Sequence, residues 1–469
     1  MKNCYAIGGR INLNEETISL CHGIDVGDYV IWECDNDSVF NSDYYCSAVT
    51  ELRRNNQTCG SRCCGCSNLI EGELPKDKIE IITINPMNYC QNRCAYCPNF
   101  QGDIVEKYDP FFIIENLIQN DMLAENCLFD WGGGEPTLSP SFEKLFLYIQ
   151  KRGYMQRVNT NAIKLSDVLR DNLNEDLVSM RFSLDSGDEE TFLRVKGRNV
   201  FNQVIKNIKE YRKRTNNIVL KYVINCLNSD MSCTHNFVNL AKSIGIKTIC
   251  VDAELNSFGW KDYKGLLRFT KKELDAAHDL CDYAKAQGLN VQIGYVWTAQ
   301  NIKVPSRDFN SIKRIDELNN SFEKYEIPRD LLPLHKEKNS IYTSGIYANP
   351  ISSIESLLYQ MKDKRVVLYG AGKNGKRLLN VLKKNGLVVS EICDKEKSNQ
   401  VLDGYCIVSV ADMLSHIDKN TRVIITPFEG RAIVQEFNEN GYIELRDKLY
   451  HIESYRYSDR TMEEEGLCV

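Results

Sequence analysis

The sequence predicts an α/β protein with a cysteine-rich N-terminal module, and three observations support this prediction. Strand-like and helix-like segments alternate from Lys78 to about Asn256, which is the pattern of a parallel sheet with crossover helices. A strand, a glycine-rich turn and a helix follow one another again after Lys364. Eight of the 19 cysteines precede Leu69. We therefore expect a cysteine-rich module over residues 1–77, an α/β core over 78–300, an irregular linker over 301–360 and a second α/β domain over 361–469.

Net charge and the distribution of apolar residues argue against nucleic-acid-binding, membrane-spanning and secreted proteins. The net charge of −6 argues against a nucleic-acid partner, because such proteins usually present a basic surface. No apolar run approaches the roughly 20 residues that a membrane span needs, and the first ten residues lack the apolar stretch of a secretory signal. We expect a cytoplasmic protein, in which thiols stay reduced and many cysteines serve metal clusters rather than disulfides.

The N-terminal segment predicts a metal site of its own. Residues 11–20 alternate apolar and polar side chains through a central turn, which predicts a hairpin that ends at Cys21. Residues 59–66 then place four thiols in eight positions, with glycines that let the backbone bend. The leading candidate ligands are Cys21, Cys63 and Cys66, with Cys4 or Cys59 as the fourth. A zinc site or an adventitious thiol cluster remains an alternative, since spacing does not separate zinc from iron-sulfur in an all-thiolate site.

The loop after the first core strand carries the most specific cysteine pattern. Residues 79–85 read as a strand that runs directly into Cys90, Cys94 and Cys97, spaced C-x3-C-x2-C. Three thiolates are one too few to saturate a four-iron cluster, so one iron stays open for another ligand. A structural zinc site would require a fourth Cys or His nearby, and the next His downstream is His235.

The second core strand, residues 127–131, ends in a glycine run that also suits ligand binding. Gly133 and Gly134 allow backbone carbonyls to approach a ligand closely, and Glu135 offers a negatively charged acceptor to an amino group. Pro136 biases Glu135 towards an extended conformation and closes the strand.

The cysteine triplet and the Gly-Gly-Glu-Pro segment about 35 residues later together resemble the radical SAM superfamily, over roughly Lys78 to Gln300. The resemblance implies a partial (β/α)6 radical SAM barrel in which Cys90, Cys94 and Cys97 hold a [4Fe-4S] cluster. It also implies that S-adenosylmethionine (SAM) binds at the open iron and is cleaved by one electron to a 5'-deoxyadenosyl radical. The resemblance implies that SAM contacts Gly133, Gly134, Glu135 and Tyr96.

Later core strands extend this resemblance. Residues 156–162 place Asn159 and Asn161 on one strand face, and residues 178–187 do the same for Ser183 and Asp185, which suits amide and carboxylate contacts to ribose or substrate. Lys221, on the strand over residues 219–225, or Arg194 is expected to pair with the SAM carboxylate; residues 246–252 form a sixth strand. The alternatives are turn-forming asparagines, a helix cap at Asp185 and ordinary surface cations.

The N-terminal cysteines resemble the auxiliary-cluster module of the SPASM or twitch type, which accompanies many radical SAM cores. Such modules usually follow the core, whereas this segment precedes it. The resemblance implies an auxiliary iron-sulfur cluster that anchors the substrate or accepts an electron from it.

The C-terminal segment predicts a nucleotide-binding turn. Gly370, Gly372 and Gly375 stand in G-x-G-x-x-G register between a strand and a helix, and Asp394 ends the next strand. These are the elements of a Rossmann-like site, with a phosphate at the helix N-terminus and a carboxylate on a ribose. The amino-acid sequence of this segment resembles small nucleotide-sugar-binding domains of bacterial surface-glycan enzymes. The alternative is a docking domain that keeps the glycines for packing.

These features predict a radical SAM oxidoreductase or isomerase that abstracts a hydrogen from a nucleotide-activated sugar or glycan precursor, with flavodoxin or ferredoxin as electron donor. The first alternative is a peptide maturase of the SPASM type. A non-catalytic iron-sulfur redox sensor is the second. The sequence does not rank any residue as a catalytic hydrogen donor, because its 24 tyrosines and spare thiols all suit a core role.

Overall fold

The computed structural model of the chain describes most of the two α/β regions. The described residues are 2–4, 6–20, 30–34, 39–54, 69–71, 78–97, 104–253, 271–294, 314–317, 326–327, 348–350, 354–427, 433–434, 436–437, 440–445 and 448–451. The candidate auxiliary ligands Cys21, Cys59, Cys63 and Cys66 lie outside them, and of Cys4 only the backbone is described.

Twelve strands precede residue 300 in the described part of the chain. They are β1 (Lys2–Cys4), β2 (Arg10–Leu13), β3 (Thr17–Ser19), β4 (Val30–Glu33), β5 (Leu69–Glu71), β6 (Ile79–Ile84), β7 (Leu123–Trp131), β8 (Met155–Thr160), β9 (Val178–Ser183), β10 (Ile218–Ile224), β11 (Thr248–Ala253) and β12 (Asn290–Ile293). β1 and β5 form an antiparallel pair, and the other ten form one sheet in the order β12-β11-β10-β9-β8-β7-β6-β2-β3-β4. β6 to β12 run parallel to one another, so the region is an α/β fold with a large, mostly parallel sheet.

Helices connect these strands. They are α1 (Ala6–Gly9), α2 (Ser42–Arg54), α3 (Pro110–Gln119), α4 (Phe142–Lys151), α5 (Asp167–Asp171), α6 (Glu189–Lys196), α7 (Phe201–Arg212), α8 (Met231–Ser243) and α9 (Lys271–Ala286), with a 3₁₀ turn at Pro136–Leu138. The start of α3 shows the local cause: the Asp109 side chain accepts from the Phe111 N–H, and Pro110 occupies the first turn, where its missing N–H costs nothing. No helix within the described ranges combines the length and the apolar character that crossing a bilayer requires.

The six predicted core strands are all present, within a few residues at their ends. The predicted N-terminal hairpin is also confirmed, because β2 and β3 pair antiparallel with Leu13 opposite Ile18. This hairpin does not stand apart from the core: β2 pairs in parallel with β6 and so extends the core sheet. β12 was not predicted, since its four residues Asn290–Ile293 alternate two polar and two apolar side chains over too short a length.

A second sheet lies in the C-terminal region. Its strands are β13 (Ala348–Pro350), β14 (Arg365–Tyr369), β15 (Val389–Cys393), β16 (Val401–Leu402), β17 (Tyr405–Val408), β18 (Thr421–Ile425) and β19 (Leu449–His451), in the order β13-β19-β18-β14-β15-β17-β16. Among the described strands of this second sheet, only β16 pairs antiparallel with its neighbour, β17. The helices here are α10 (Ile354–Met361), α11 (Lys373–Lys384) and α12 (Val410–Ser415), with a 3₁₀ turn at Ile443–Leu445.

The two regions meet beside the cysteine loop. α10 packs against α6, and Cys90 packs against the apolar cluster that α10, α11 and one face of the second sheet share. A cleft of about 660 Å³ lies at this junction. Arg194 and Cys226 line its core side, whereas Lys364 and Arg422, at the amino ends of β14 and β18, line the other.

Candidate functional site

The cysteine loop, residues 85–97, begins at the carboxyl end of β6 and is held by a helix more than 90 residues further along the chain. The Arg93 N–H donates to the Lys196 carbonyl at 2.9 Å, and the Ala95 N–H donates to the Val195 carbonyl at 2.8 Å. Both carbonyls belong to the last turn of α6, where no following turn can use them. The loop thereby supplies donors that this helix end lacks.

The glycine run after β7 braces the other side of the loop. The Gly134 N–H donates to the Met87 carbonyl at 3.2 Å, and the Glu135 N–H donates to the Tyr89 carbonyl at 2.7 Å. A Cβ atom at Gly134 would overlap the Tyr89 carbonyl oxygen, and Gly133 has φ +85°. Glycine is therefore required here, because two backbones touch and one residue lies in the left-handed region.

The Glu135 carboxylate is almost fully buried and is bonded to protein donors. Its Oε1 accepts from the Thr137 N–H at 3.2 Å and from the hydroxyls of Thr137 and Thr160 at 2.7 Å each. Its Oε2 accepts from the Asn161 N–H at 2.7 Å. Burial raises the pKa of this carboxyl above its ordinary value, and these four hydrogen bonds oppose that rise. The side chain ties the ends of β7 and β8 together.

The three thiols lie within electrostatic reach of one another. Burial raises the pKa of Cys90 and brings that of Cys94 to about 12, and repulsion between the neighbouring thiolates adds to both shifts. The Asn161 amide donates to Cys90 Sγ at 3.4 Å. Thiolates that repel one another in a buried loop need a cationic partner, and iron fits this donor set. No three His, Cys, Asp or Glu side chains in the described ranges are close enough to hold a single metal ion; in a cubane cluster each thiolate binds a different iron.

A buried ion pair lies beneath the loop. Lys196 and Asp185 form a salt bridge with side-chain exposures of 1% and 0%, and the Tyr96 hydroxyl donates to the same carboxylate oxygen. The other oxygen accepts from the Val223 N–H at 2.8 Å. Burial and the Asp185 charge raise the pKa of Tyr96 well above its ordinary value. Asp185 and Tyr96 therefore connect β9, β10, α6 and the loop, and no oxygen of Asp185 faces outwards.

One face of strands β7 to β12 is polar, and we call it the polar face. Registered neighbours in a parallel sheet point to the same side, and the pairings align the following residues: Asp130, Arg157, Asn159, Arg181, Ser183, Lys221, Cys250, Asp252 and Gln292. The opposite face carries Phe129, Val158, Phe182 and similar side chains in the main apolar core. The helices therefore pack on one face, and the other presents hydrogen-bonding groups.

Most of these polar side chains have partners within the face. Arg157 Nε donates to Asp130 Oδ1 at 2.8 Å as half of a bidentate pair, and Lys221 Nζ lies 2.8 Å from Asp252. The Asn159 amide donates to the same Asp130 oxygen at 2.9 Å and to the Trp131 carbonyl at 2.7 Å. Asn159 and Lys221 thus lie where the sequence predicts, but each binds a protein group.

Sequence reasoning did not identify Asp130, Arg157, Arg181, Asp252 or Gln292. The signal that reveals them is a polar residue at every second position of strands whose other residues are buried and apolar. In β10 it reduces to one residue, because Lys221 alone in Ile218–Ile224 is only partly buried.

The C-terminal glycine turn follows β14. Gly370 has φ +107°, and a Cβ atom at Gly375 would overlap the Gly370 carbonyl oxygen, so both positions require glycine. Asp394 closes the turn: its Oδ2 accepts from the Ala371 N–H at 2.7 Å, and its Oδ1 accepts from the N–H of Glu396 at 2.9 Å. Gly372, which begins α11, has no atom within 4 Å of its Cβ position. The turn lies at the carboxyl end of β14, whereas the cleft residue Lys364 precedes its amino end.

The part of the chain that contains this site matches a known family model. Residues 84–230 match the family model of the Radical SAM superfamily. This range contains the cysteine loop, the glycine run, β7 to β10 and α6.

Individual relatives are distant. GTP 3',8-cyclase of Clostridium botulinum (strain Hall) is 25% identical over 199 residues, 40% of this chain and 60% of the relative. The enzyme of the same name from strain Okra is 26% identical over 139 residues, 28% of this chain and 43% of the relative. The chain thus spans 60% or less of the length of these curated relatives. The crystal structure of Streptococcus suis SuiB bound to precursor peptide SuiA aligns with TM-score 0.40 and 16% identity, over 56% of this chain and 58% of that one.

Proposed function

We propose that this chain is a radical SAM enzyme and that it abstracts a hydrogen from a nucleotide-activated sugar or related glycan precursor, with an oxidation or rearrangement as the outcome. The observation that carries its radical chemistry is the cysteine loop, in which three thiols lie within electrostatic reach of one another and the backbone is braced by the glycine run and by α6. When bound, a [4Fe-4S] cluster with one open iron supplies the one-electron cleavage of SAM that starts hydrogen abstraction.

The chain's own residues would bind and orient SAM. We assign the amino group of SAM to the backbone carbonyls of the run Gly132–Gly134, since the Glu135 side chain already holds four protein donors. Ser183 and Lys221 remain proposed neighbours of the SAM ribose and carboxylate, and Asn159 remains a proposed neighbour of the ribose or of the substrate. Asp185 and Tyr96 act one layer behind as positioning residues, because their polar atoms bind Lys196 and each other.

Two features support the substrate proposal. The curated relatives are named for a reaction of GTP, which is a nucleotide. The C-terminal sheet places β14, with the glycine turn at its end, between β15 and β18. Ligands of open α/β sheets bind where the strand order reverses in this way, so the arrangement supports a Rossmann-like domain that binds a nucleotide.

The decisive experiment measures 5'-deoxyadenosine release by anaerobically reconstituted protein with dithionite or reduced flavodoxin. One arm contains a panel of nucleotide sugars, and the other contains a peptide pool. We expect stimulation by a nucleotide sugar and loss of all release in Cys94→Ala, with full release in the control Cys406→Ala, which removes an exposed thiol on β17 of the C-terminal sheet. Stimulation by peptides alone would replace the substrate proposal with a maturase. Release by Cys94→Ala would overturn the ligand set, and no release by the wild type would revive the redox sensor.

The auxiliary cluster is a separate proposal. Cys21, Cys63 and Cys66, with Cys59 or Cys4, would bind it, as their crowding in the sequence suggests. Replacing Cys63 and Cys66 together by alanine should remove about four iron atoms if the site is one cubane. If the double variant keeps the iron content of the wild type and the wild type also contains zinc, these cysteines bind zinc instead.

A further inference from the structure

The polar face carries more positive charge than its own carboxylates neutralise. Asp130 pairs with Arg157, and Asp252 pairs with Lys221. A third cation, Arg181, lies on β9 between the strands that bear these two pairs. In the described part of the chain, no carboxylate lies within ion-pair distance of Arg181, so three cations of this face share two carboxylates.

The surroundings of Arg181 show a partly buried guanidinium with unused hydrogen-bonding capacity. Its NH2 group donates to Gln292 Oε1 at 2.9 Å, which is a neutral acceptor. Its Nε is buried and has no hydrogen-bond partner among the described residues. Burial and the adjacent Arg157 charge lower the pKa of Arg181 below its ordinary value. The Asp130 and Asp252 charges oppose this shift, but each of these carboxylates is paired with another cation. A guanidinium keeps its proton at any physiological pH, so an external anion would supply the missing negative charge.

We propose that Arg181 binds an anionic group of the substrate, a phosphate or a carboxylate, on the polar face. A guanidinium presents N–H donors in a planar fork that matches both groups. The SAM carboxylate is the other possible source of the anion. The position of Arg181 favours the substrate: it lies two residues before Ser183 and four before Asp185 on the amino-end side, whereas the cysteine loop and glycine run lie at the carboxyl ends. This assignment rests on the proposed function, since it places the substrate on the polar face beside SAM.

The test uses inorganic pyrophosphate as the probe and SAM as the second ligand. Equilibrium dialysis measures pyrophosphate binding to the full chain, and a parallel experiment measures SAM binding to the reconstituted protein. Because the C-terminal glycine turn is itself a proposed phosphate site, we expect the wild type to bind pyrophosphate at two sites. Arg181→Gln should weaken one of them at least tenfold and leave the other intact, while SAM affinity changes less than twofold. Arg181→Lys, which keeps the charge but loses the fork, should fall between the two. The matched control is Arg152→Gln, which removes the same charge from an exposed helix end.

A thermal measurement guards against a trivial folding defect. Without ligand, Arg181→Gln should melt at or above the wild-type temperature, because an uncompensated cation has been removed. Pyrophosphate should raise the melting temperature of the wild type more than that of Arg181→Gln. Equal pyrophosphate binding by the wild type and Arg181→Gln, or none by the wild type, would overturn the proposal. Weakened SAM binding with unchanged pyrophosphate binding would assign the anion to SAM instead. Absent SAM cleavage by the wild type would refute the proposed function, whereas pyrophosphate binding is measured independently of it.

Discussion

At the residue scale, a single methyl group added at Gly134 should disturb the cysteine loop. Gly134→Ala puts a methyl group onto the Tyr89 carbonyl, so the cysteine loop must move. We expect a loss of about 1–3 kcal/mol in stability, as for other overpacked sites, and a clear loss of iron after reconstitution. Iron analysis and urea denaturation measure the two effects. Gly372→Ala is the control, because nothing lies within 4 Å of its Cβ position; equal iron in both variants would show that the loop tolerates the displacement.

Asn161 provides a second test at this scale. Its amide donates to the Cys90 sulfur at 3.4 Å, and hydrogen bonds to cluster sulfurs favour the more negative, reduced state. Asn161→Ala should therefore lower the midpoint potential of the reconstituted cluster by tens of millivolts, on the order of one neutral hydrogen bond. A redox titration followed by electron paramagnetic resonance measures the shift. Asn172→Ala, which removes an exposed amide bonded to Val168, should leave the potential unchanged.

The sequence identifies residue types at this scale better than it identifies their partners. Cys90, Cys94, Cys97 and Gly134 follow from spacing and from backbone requirements, which are local. The partners of Glu135 and Asp185 come from distant segments. Both carboxylates look suited to a ligand in the sequence, and both turn out to be buried among protein donors. Spacing along a chain carries no information about which distant N–H group meets a given oxygen.

At the element scale, β6 contains a buried acid that should make stability depend on pH. Glu80 is 6% exposed, and burial raises its pKa from 4.5 to about 7. The unfolded chain ionises near 4.5 while the folded chain still holds the proton. The stabilising contribution of the protonated form is therefore complete below about 4.5 and is lost as the pH rises to about 7.

Glu80→Gln removes this dependence. We expect the variant to exceed the wild type by less than about 1 kcal/mol at pH 5 and by about 3 kcal/mol at pH 8, since one pKa unit corresponds to about 1.4 kcal/mol. Urea denaturation at both pH values measures the difference. Glu125→Gln, on the neighbouring β7 and exposed, serves as the control. An equal gain at pH 5 and pH 8 would point to packing rather than ionisation.

Strand prediction at this scale succeeds where the apolar signal is long. β6 to β11 contain four or more buried positions each, and all were predicted. The pairing of side chains across the polar face was not predicted, because alternation shows that a strand has two faces without showing which strands become neighbours. Asp130 and Arg157 are 27 positions apart in sequence and meet only because β7 pairs with β8.

At the scale of the whole molecule, the contact between the two α/β regions should protect the cluster site. Leu357 on α10 is fully buried in the apolar cluster on which Cys90 packs. Leu357→Ala should cost about 2–5 kcal/mol and should also speed the loss of iron to a chelator, because the packing around Cys90 loosens. Absorbance during chelator treatment measures the rate.

Leu445→Ala separates these two effects. Leu445 is equally buried, but it belongs to the cluster on the other face of the C-terminal sheet, which does not include Cys90. We expect similar destabilisation with wild-type iron loss. Equal rates in both variants would mean that general stability, and not this contact, retains the iron. The contact itself could not be foreseen from sequence, because the linker that separates the two regions carries no pattern that fixes their orientation.

The bracing of the cysteine loop also has a consequence for how the protein is made. The loop's hydrogen-bond partners at Val195 and Lys196 are synthesised about 100 residues after Cys97. A nascent chain that has only just exposed its three thiols therefore lacks the helix end that shapes them. Iron-sulfur assembly factors that act during translation would meet a cysteine loop whose hydrogen-bond partners on α6 have not yet been synthesised. Cluster insertion into the cysteine loop should follow release of α6 from the ribosome, and a chain truncated before Glu189 should emerge with the thiols of this loop but without iron bound to them.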